Sequence, residues 1–201
     1  MEQKSWNGVT ILSRNPDFTE VGRGLPSDPE DVQSRYIEAV INGIRICCLY
    51  VPNGNPAPGP KFNYKLRWLD GLLVKSEKLL ALNQAVVLAG DFNIIPTDLD
   101  VYKPDRWIKD ALFRPEIQHF FHQLIELGWT DALQALYPDQ KFYTFWDHFR
   151  NSFGKDAGLR IDHFLIRPEL RGKLKKGGID KAFRSWEKSS DHAPVWIEID
   201  I

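Results

Sequence analysis

Tyr36-Ile37-Glu38-Ala39-Val40-Ile41-Asn42-Gly43-Ile44-Arg45-Ile46-Cys47-Cys48-Leu49-Tyr50-Val51 is the stretch that decides the architecture. Asn42-Gly43 is the pair that most readily takes the left-handed angles of a two-residue hairpin turn. It separates two β-prone runs, Tyr36 to Ile41 and Ile44 to Val51, so two antiparallel strands are predicted. Beyond them, four prolines and two glycines between Pro52 and Pro60 force a loop. Cys47 and Cys48 are the only cysteines, and adjacent strand residues point to opposite faces. A disulfide between them would be strained, which points to a reducing compartment.

Working outward, Val9 to Ser13 reads as a short strand after Asn7-Gly8, and Asp17 to Ser34, rich in Gly, Pro and Asp, reads as a long loop. Downstream, Phe62, Leu66, Leu69, Leu73 and Leu80 recur at helical spacing, with Lys65, Lys75, Glu77 and Lys78 between them. They predict one amphipathic helix of roughly five turns. Val86 to Ala89 is a short buried strand running into Gly90-Asp91-Phe92-Asn93. Ile117, Phe120, Phe121, Leu124 and Ile125 predict a second helix, with Pro115 at its start and Gly128 past its end. Ile161 to Ile166, Ile179 to Arg184 and Val195 to Ile201 read as strands.

Paired strands with interposed helices imply an α/β two-sheet sandwich flanked by helices. With no repeat, low-complexity segment or linker, residues 1–201 read as one domain. A formal charge of -1 removes any global electrostatic argument for nucleic acid and leaves it to local patches. Arg167 to Lys176 is the densest basic stretch, either a DNA contact or a solvated loop. No segment has the apolar length of a membrane span, and a cytoplasmic setting is expected.

Four short motifs carry chemistry. Ala89-Gly90-Asp91-Phe92-Asn93 ends a buried strand and delivers a carboxylate and a carboxamide two residues apart. That suits a general base beside an orienting group, and equally an Asp that caps a turn. In Ser190-Asp191-His192-Ala193-Pro194 the carboxylate suits a hard cation and the imidazolium an anionic oxygen, with loop capping by Ser190 and Asp191 as the alternative. Asp162 interrupts the apolar strand Leu159-Arg160-Ile161-Asp162-His163-Phe164 and needs a partner to offset its desolvation. His163 faces away by strand alternation, which leaves His192 from another segment, or Arg160. In Tyr50-Val51-Pro52-Asn53 both Tyr50 and Asn53 can donate to a phosphate. His119 and His122, three residues apart, fall on the polar side of the second helix and read as surface.

The order Tyr-x-Pro-Asn, Gly-Asp-Phe-Asn, Arg-Ile-Asp and Ser-Asp-His-Ala-Pro resembles the exonuclease III branch of the endonuclease/exonuclease/phosphatase superfamily. Asn93-Ile94-Ile95-Pro96-Thr97-Asp98-Leu99-Asp100 and Tyr143-Thr144-Phe145-Trp146-Asp147 agree with it, and the likeness covers essentially the whole chain. The resemblance implies a DNase I-like fold and cleavage of double-stranded DNA at abasic sites, 3′-to-5′ exonuclease action and 3′-end processing, with Mg²⁺ or Mn²⁺. It makes Asp91 the group that activates water and Asn93 its orienter. Tyr50 stands beside the scissile phosphate, His192 binds that phosphate, and Asp162 holds the His192 ring. It assigns Asp191, with Asp91, Asn93 and His192, to the metal. Asn53, Phe145, Trp146, Leu159, Arg160 and Ile161 fall on the DNA side, with a core role as the alternative for Phe145 and Ile161, and Leu159 stands where some relatives place Trp.

Family members begin with a strand carrying an Asn and a second ending in Gln-Glu, whose Glu is a metal ligand. On that resemblance this sequence starts after both, and an N-terminally truncated form of the fold is expected. Glu2 and Glu38 are candidate replacement ligands. Bared apolar sheet surface would favour a homodimer. The competing expectation is a catalytically impaired DNA-binding or structural remnant.

Overall fold

The computed structural model describes residues 7–16, 18–25 and 30–200. Six strands, β1 (Phe18–Arg23), β2 (Tyr36–Ile41), β3 (Ile44–Tyr50), β4 (Val86–Asp91), β5 (Thr130–Asp131) and β6 (Asp162–Ile166), form one mixed sheet in the order β1-β2-β3-β4-β6-β5. The hairpin joining β2 to β3 is the predicted one. Asn42 and Gly43 take φ 50° and 78°, and Ile41 faces Ile44 across the turn. A parallel partner for β3 requires a crossover, and α1 (Pro60–Leu80) supplies it before β4 runs alongside β3. Both α1 and α2 (Pro115–Glu126) begin on a proline, whose missing N–H would have had no partner in the first turn anyway.

Strand alternation sorts the side chains into two layers. Tyr36, Cys47, Leu49, Val86, Leu88 and Leu165 join Phe62, Leu69 and Leu72 of α1 and Ile117 and Leu124 of α2 in the main core. On the other face, Ile44, Val87 and Ile166 pack beneath a second sheet of two antiparallel strands, β7 (Leu174–Ile179) and β8 (Val195–Ile199), together with α3 (Ala132–Leu136). The result is the expected two-sheet α/β sandwich, its second sheet small. Ile46, Ala89 and Phe164 are only partly covered on that face.

Three local expectations change. Residues 9–13 form no strand. Phe18–Arg23, inside the expected loop, is an edge strand paired to β2 through a bulge between Glu20 and Gly22. Its residues are mostly exposed, so no apolar alternation marks it. The strand placed at Ile179 to Arg184 lies earlier, at Leu174–Ile179, because solvent-facing lysines and two glycines hide the pattern; residues 181–185 form a 3-10 helix. Three of the five cations between Arg167 and Lys176 are in ion pairs, Arg167 with Glu169 (3.0 Å), Lys175 with Asp200 (3.3 Å) and Lys176 with Glu198 (3.9 Å). Among the described residues, no helix is long and apolar enough to cross a membrane.

Candidate active site

The sheet register builds the centre. Tyr50 of β3 lies opposite Asp91 of β4, and Asp91 opposite Asp162 of β6, so three polar side chains from the ends of three strands point to one side. Gly90 makes the approach feasible. Its φ is 142°, and a Cβ there would fall 2.0 Å from the Leu49 carbonyl oxygen.

Past Asp91 the chain turns sharply. Phe92 enters the core and Asn93 takes φ 48°, a left-handed conformation that Asn tolerates. The turn brings the Asn93 backbone N–H to Asp91 Oδ1 (2.8 Å) and its Nδ2 to Asp91 Oδ2 (2.9 Å), so both carboxylate oxygens are held. Asn93 Nδ2 also donates to the Val51 carbonyl (3.0 Å), and its Oδ1 accepts from Asn53 Nδ2 (3.1 Å). Burial, reinforced by the Asp162 charge, raises Asp91 to about 7, while His192, the Asn93 N–H and Lys65 pull the other way.

His192 arrives from the loop before β8, its Nδ1 2.9 Å from Asp162 Oδ2. An ionised carboxylate only accepts, so Nδ1 carries the proton and Nε2 is left for another group. Burial alone would lower this imidazole. The bond to Asp162 and the charges of Asp162, Asp91 and Asp191 outweigh it and lift His192 to about 9, an imidazolium at neutral pH. Thr144 Oγ1 fixes the strand beneath by accepting the N–H groups of Ile161 (3.1 Å) and Asp162 (3.2 Å). Burial and the charges of Asp91 and Asp191 raise Tyr50, which keeps its phenolic proton. Arg35 lies 5.0 Å from the Tyr50 ring centroid and donates to its carbonyl (3.2 Å).

Tyr50, Asp91, Asn93, Asp162, Asp191 and His192 therefore meet in one place, with Asn53 at the rim. Three carboxyl groups gather there around one imidazolium, and a bound cation would favour the ionised form of Asp91. Among the described residues, no group of three or more His, Cys, Asp or Glu forms a metal cage. The chemistry of the donor set suits Mg²⁺, which binds through one or two carboxylates and keeps waters; Asp91 and Asp191 would be those carboxylates. Asn93 is committed to orienting Asp91, and the Nδ1 of His192 to Asp162.

A cleft of about 1050 Å³ adjoins the cluster, walled by Tyr102, Trp107, Phe145, Phe149 and Leu159 and edged by Lys103, Arg106, Arg150 and Lys155. Phe145 joins the two, its ring 5.1 Å from that of His192.

Of the residues expected on the DNA side, Phe145 and the largely buried Leu159 line this cleft, Asn53 is exposed at the rim of the cluster, and three reach neither. Trp146 is fully buried with Nε1 on Asp156 (3.1 Å), and Ile161 is in the main core. Arg160 is 1% exposed, its Nε on Asp100 (2.6 Å) and its Nη1 on Asp131 (2.7 Å), a buried ion triad with no path to a phosphate. Arg160 is thus also excluded as the partner of Asp162. Glu38 is buried and paired with Arg45 (2.7 Å) and with Lys75 of α1, which removes it as a replacement ligand. Glu2 lies outside the described residues. His119 and His122 are exposed, as expected.

Sequence reasoning missed Thr144, Arg35, the cleft cations and Lys65. For Lys65 a signal existed. It lies three residues after Phe62 and four before Leu69, on the apolar stripe of α1, and it is fully buried. Its Nζ donates to the carbonyls of Asn93 (2.6 Å), Asn53 (3.1 Å) and Ala111 (3.1 Å). Burial draws this amine down to about 7 against the pull of Asp91 and Asp110. Three acceptors nevertheless need three N–H donors, which only the charged form has.

The model of the Endonuclease/Exonuclease/phosphatase family matches residues 1–192. The chain belongs to that family. Exodeoxyribonuclease III of Haemophilus influenzae is 34% identical over 98% of this chain and 78% of its own length. Among solved members, the 3′ phosphatase NExo from Neisseria bound to a product DNA hairpin superposes with a TM-score of 0.86 at 37% identity, over 92% of this chain and 71% of that one. An AP endonuclease from Archaeoglobus fulgidus gives 0.87 at 32% identity, over 92% and 72%. The family assignment agrees with the layered sheets.

Proposed function

We propose that this chain is a metal-dependent phosphodiesterase acting on DNA in the manner of exonuclease III, at abasic sites and at 3′ ends. The observation that carries the reading is the convergence of an oriented carboxylate, Asp91, with an imidazolium, His192, beside a cationic and aromatic cleft. The names of the relatives, an exodeoxyribonuclease III, a 3′ phosphatase and an AP endonuclease, support the same chemistry.

In this reading His192 donates through Nε2 to a non-bridging phosphate oxygen and Tyr50 donates its phenolic proton to the same group. Asp91, held by Asn93, takes the proton of the attacking water as its oxygen bonds to phosphorus. The bond from phosphorus to the leaving oxygen breaks, and that oxygen leaves as an alkoxide that takes a proton from solvent, to which Asp91 returns the one it accepted. Mg²⁺ or Mn²⁺ bound by Asp91 and Asp191 would supply positive charge against the phosphate oxygens. Lys103, Arg106, Arg150 and Lys155 contact the DNA backbone, and Phe145 and Leu159 receive an unstacked sugar. The free Cys47 and Cys48 suit a cytoplasmic setting, and a second copy covering Ile46, Ala89 and Phe164 would make a homodimer, measurable by sedimentation.

The test is cleavage of a defined abasic duplex and of a 3′-recessed duplex with magnesium, manganese or EDTA, repeated with Asp91→Ala. Cutting that needs metal and is lost in the variant is expected. Duplex binding without any cutting would instead establish the alternative, a catalytically impaired DNA-binding remnant.

A further inference from the structure

We propose that Lys65 is a positioning residue of this site, which rests on the phosphodiesterase reading above. Its Nζ gathers three carbonyls from three separate loops, those of Asn53 after β3, Asn93 after β4 and Ala111 before α2. Two of those residues are the ones whose side chains bond each other, Asn53 Nδ2 to Asn93 Oδ1, and through Asn93 reach both oxygens of Asp91. The same amine therefore holds the backbone of the relay whose side chains aim the carboxylate.

Geometry makes the link directional. Asn93 has φ 48°, and its carbonyl, 2.6 Å from Nζ, points inward while its N–H and carboxamide point to Asp91. Among the described residues, no group other than Lys65 donates to that carbonyl. Without that donor the peptide would relax, and the side chain would turn with it. Lys65 is fully buried, so it touches neither solvent nor DNA and acts only through Asn53 and Asn93. The charges of Asp91 and Asp110 favour its protonated form, the form that supplies all three donors.

Lys65→Met keeps the length of the side chain and removes the donors. Lys65→Arg keeps the charge but spreads its donors in a plane, so three convergent carbonyls are not matched. For both variants, kcat and KM on the abasic duplex are measured where circular dichroism shows a folded chain. Side-chain amide signals of Asn53 and Asn93 are followed by nitrogen-15 NMR without DNA or metal. A fall in kcat of about 100-fold with KM nearly unchanged is expected in Lys65→Met, with both amide signals displaced and the amides of β7 and β8 unmoved. Lys65→Arg is expected to recover stability and leave kcat low; it carries both readouts where Lys65→Met does not fold. Unchanged kcat in a folded variant, a change in KM alone, or unmoved Asn93 signals overturn the proposal. A wild-type chain that cuts no DNA refutes the phosphodiesterase reading instead, and the amide signals still decide the role of Lys65.

Discussion

His192 Nδ1 lies 2.9 Å from Asp162 Oδ2, and that one bond ties the loop before β8 to the end of β6. It also sets the charge of the ring. Because His192 is raised to about 9 from an ordinary 6.5, its contribution to stability is complete below about 6.5 and lost as pH rises through 9. Activity that needs the imidazolium is lost over the same rise.

Asp162→Asn should expose this dependence. The neutral amide removes the charge that lifts His192, so the alkaline limb of the pH-rate profile moves from about 9 toward 6.5. At neutral pH kcat should fall by about 100-fold or more. A limb that stays in place would show that His192 does not act as a cation.

Arg160 is expected to matter for stability and not for DNA. Its guanidinium bridges Asp100 at 2.6 Å and Asp131 at 2.7 Å, with all three side chains buried. Arg160→Met leaves two buried carboxylates without a counter-charge, which should cost about 3–5 kcal/mol. Urea denaturation measures the loss, and the DNA Kd of the folded variant should be unchanged. The reverse pattern would return Arg160 to the DNA surface.

These residues show what could be read from the chain and what could not. The hairpin at Asn42-Gly43 and the pairing of Asp162 with His192 follow from local rules, turn chemistry in one case and alternation plus the cost of a buried charge in the other. Tyr50, Asp91 and Asp162 were legible as separate motifs, but their alignment is a property of register, which no single motif contains. β1 was hidden because an edge strand exposed on both faces has no alternation to detect. Arg160 misled because a charged residue beside a chemical motif looks the same in sequence whether it faces DNA or two distant carboxylates.

His163, next to Asp162 but on the helix side of the sheet, gives a pH dependence of opposite sign. It is buried between Phe92 and Phe121, with Nε2 3.0 Å from the Ile94 carbonyl. Burial, with the Arg160 charge adding to it, pushes its pKa down from 6.5 to about 3. The unfolded chain therefore binds a proton that the folded chain refuses between those limits, and stability falls as pH drops from about 6.5 toward 3. His192 gains stability over part of the same interval, so the effect is read as a difference. The urea midpoint of the wild-type chain minus that of His163→Phe should decline progressively from pH 7.5 through 6 to 5, and a difference that stays constant would assign the effect elsewhere.

Cys47 and Cys48 test the two faces of the sheet directly. Cys47 lies in the main core, where burial raises its thiol to about 12 although a hydrogen bond with Tyr36 opposes the shift. Cys48 points the other way, is half-buried and is also raised by burial, with the Thr10 backbone opposing it. The thiolate is the reactive form, so at pH 8 iodoacetamide should label Cys48 slowly and Cys47 only after urea unfolds the chain. Peptide mass spectrometry gives the two rates. Labelling of Cys47 as fast as Cys48 in the native protein would mean that α1 does not stay packed on β3. The loop after β3 would then lose its support, since Lys65 on that helix is what holds the Asn53 and Asn93 carbonyls in place.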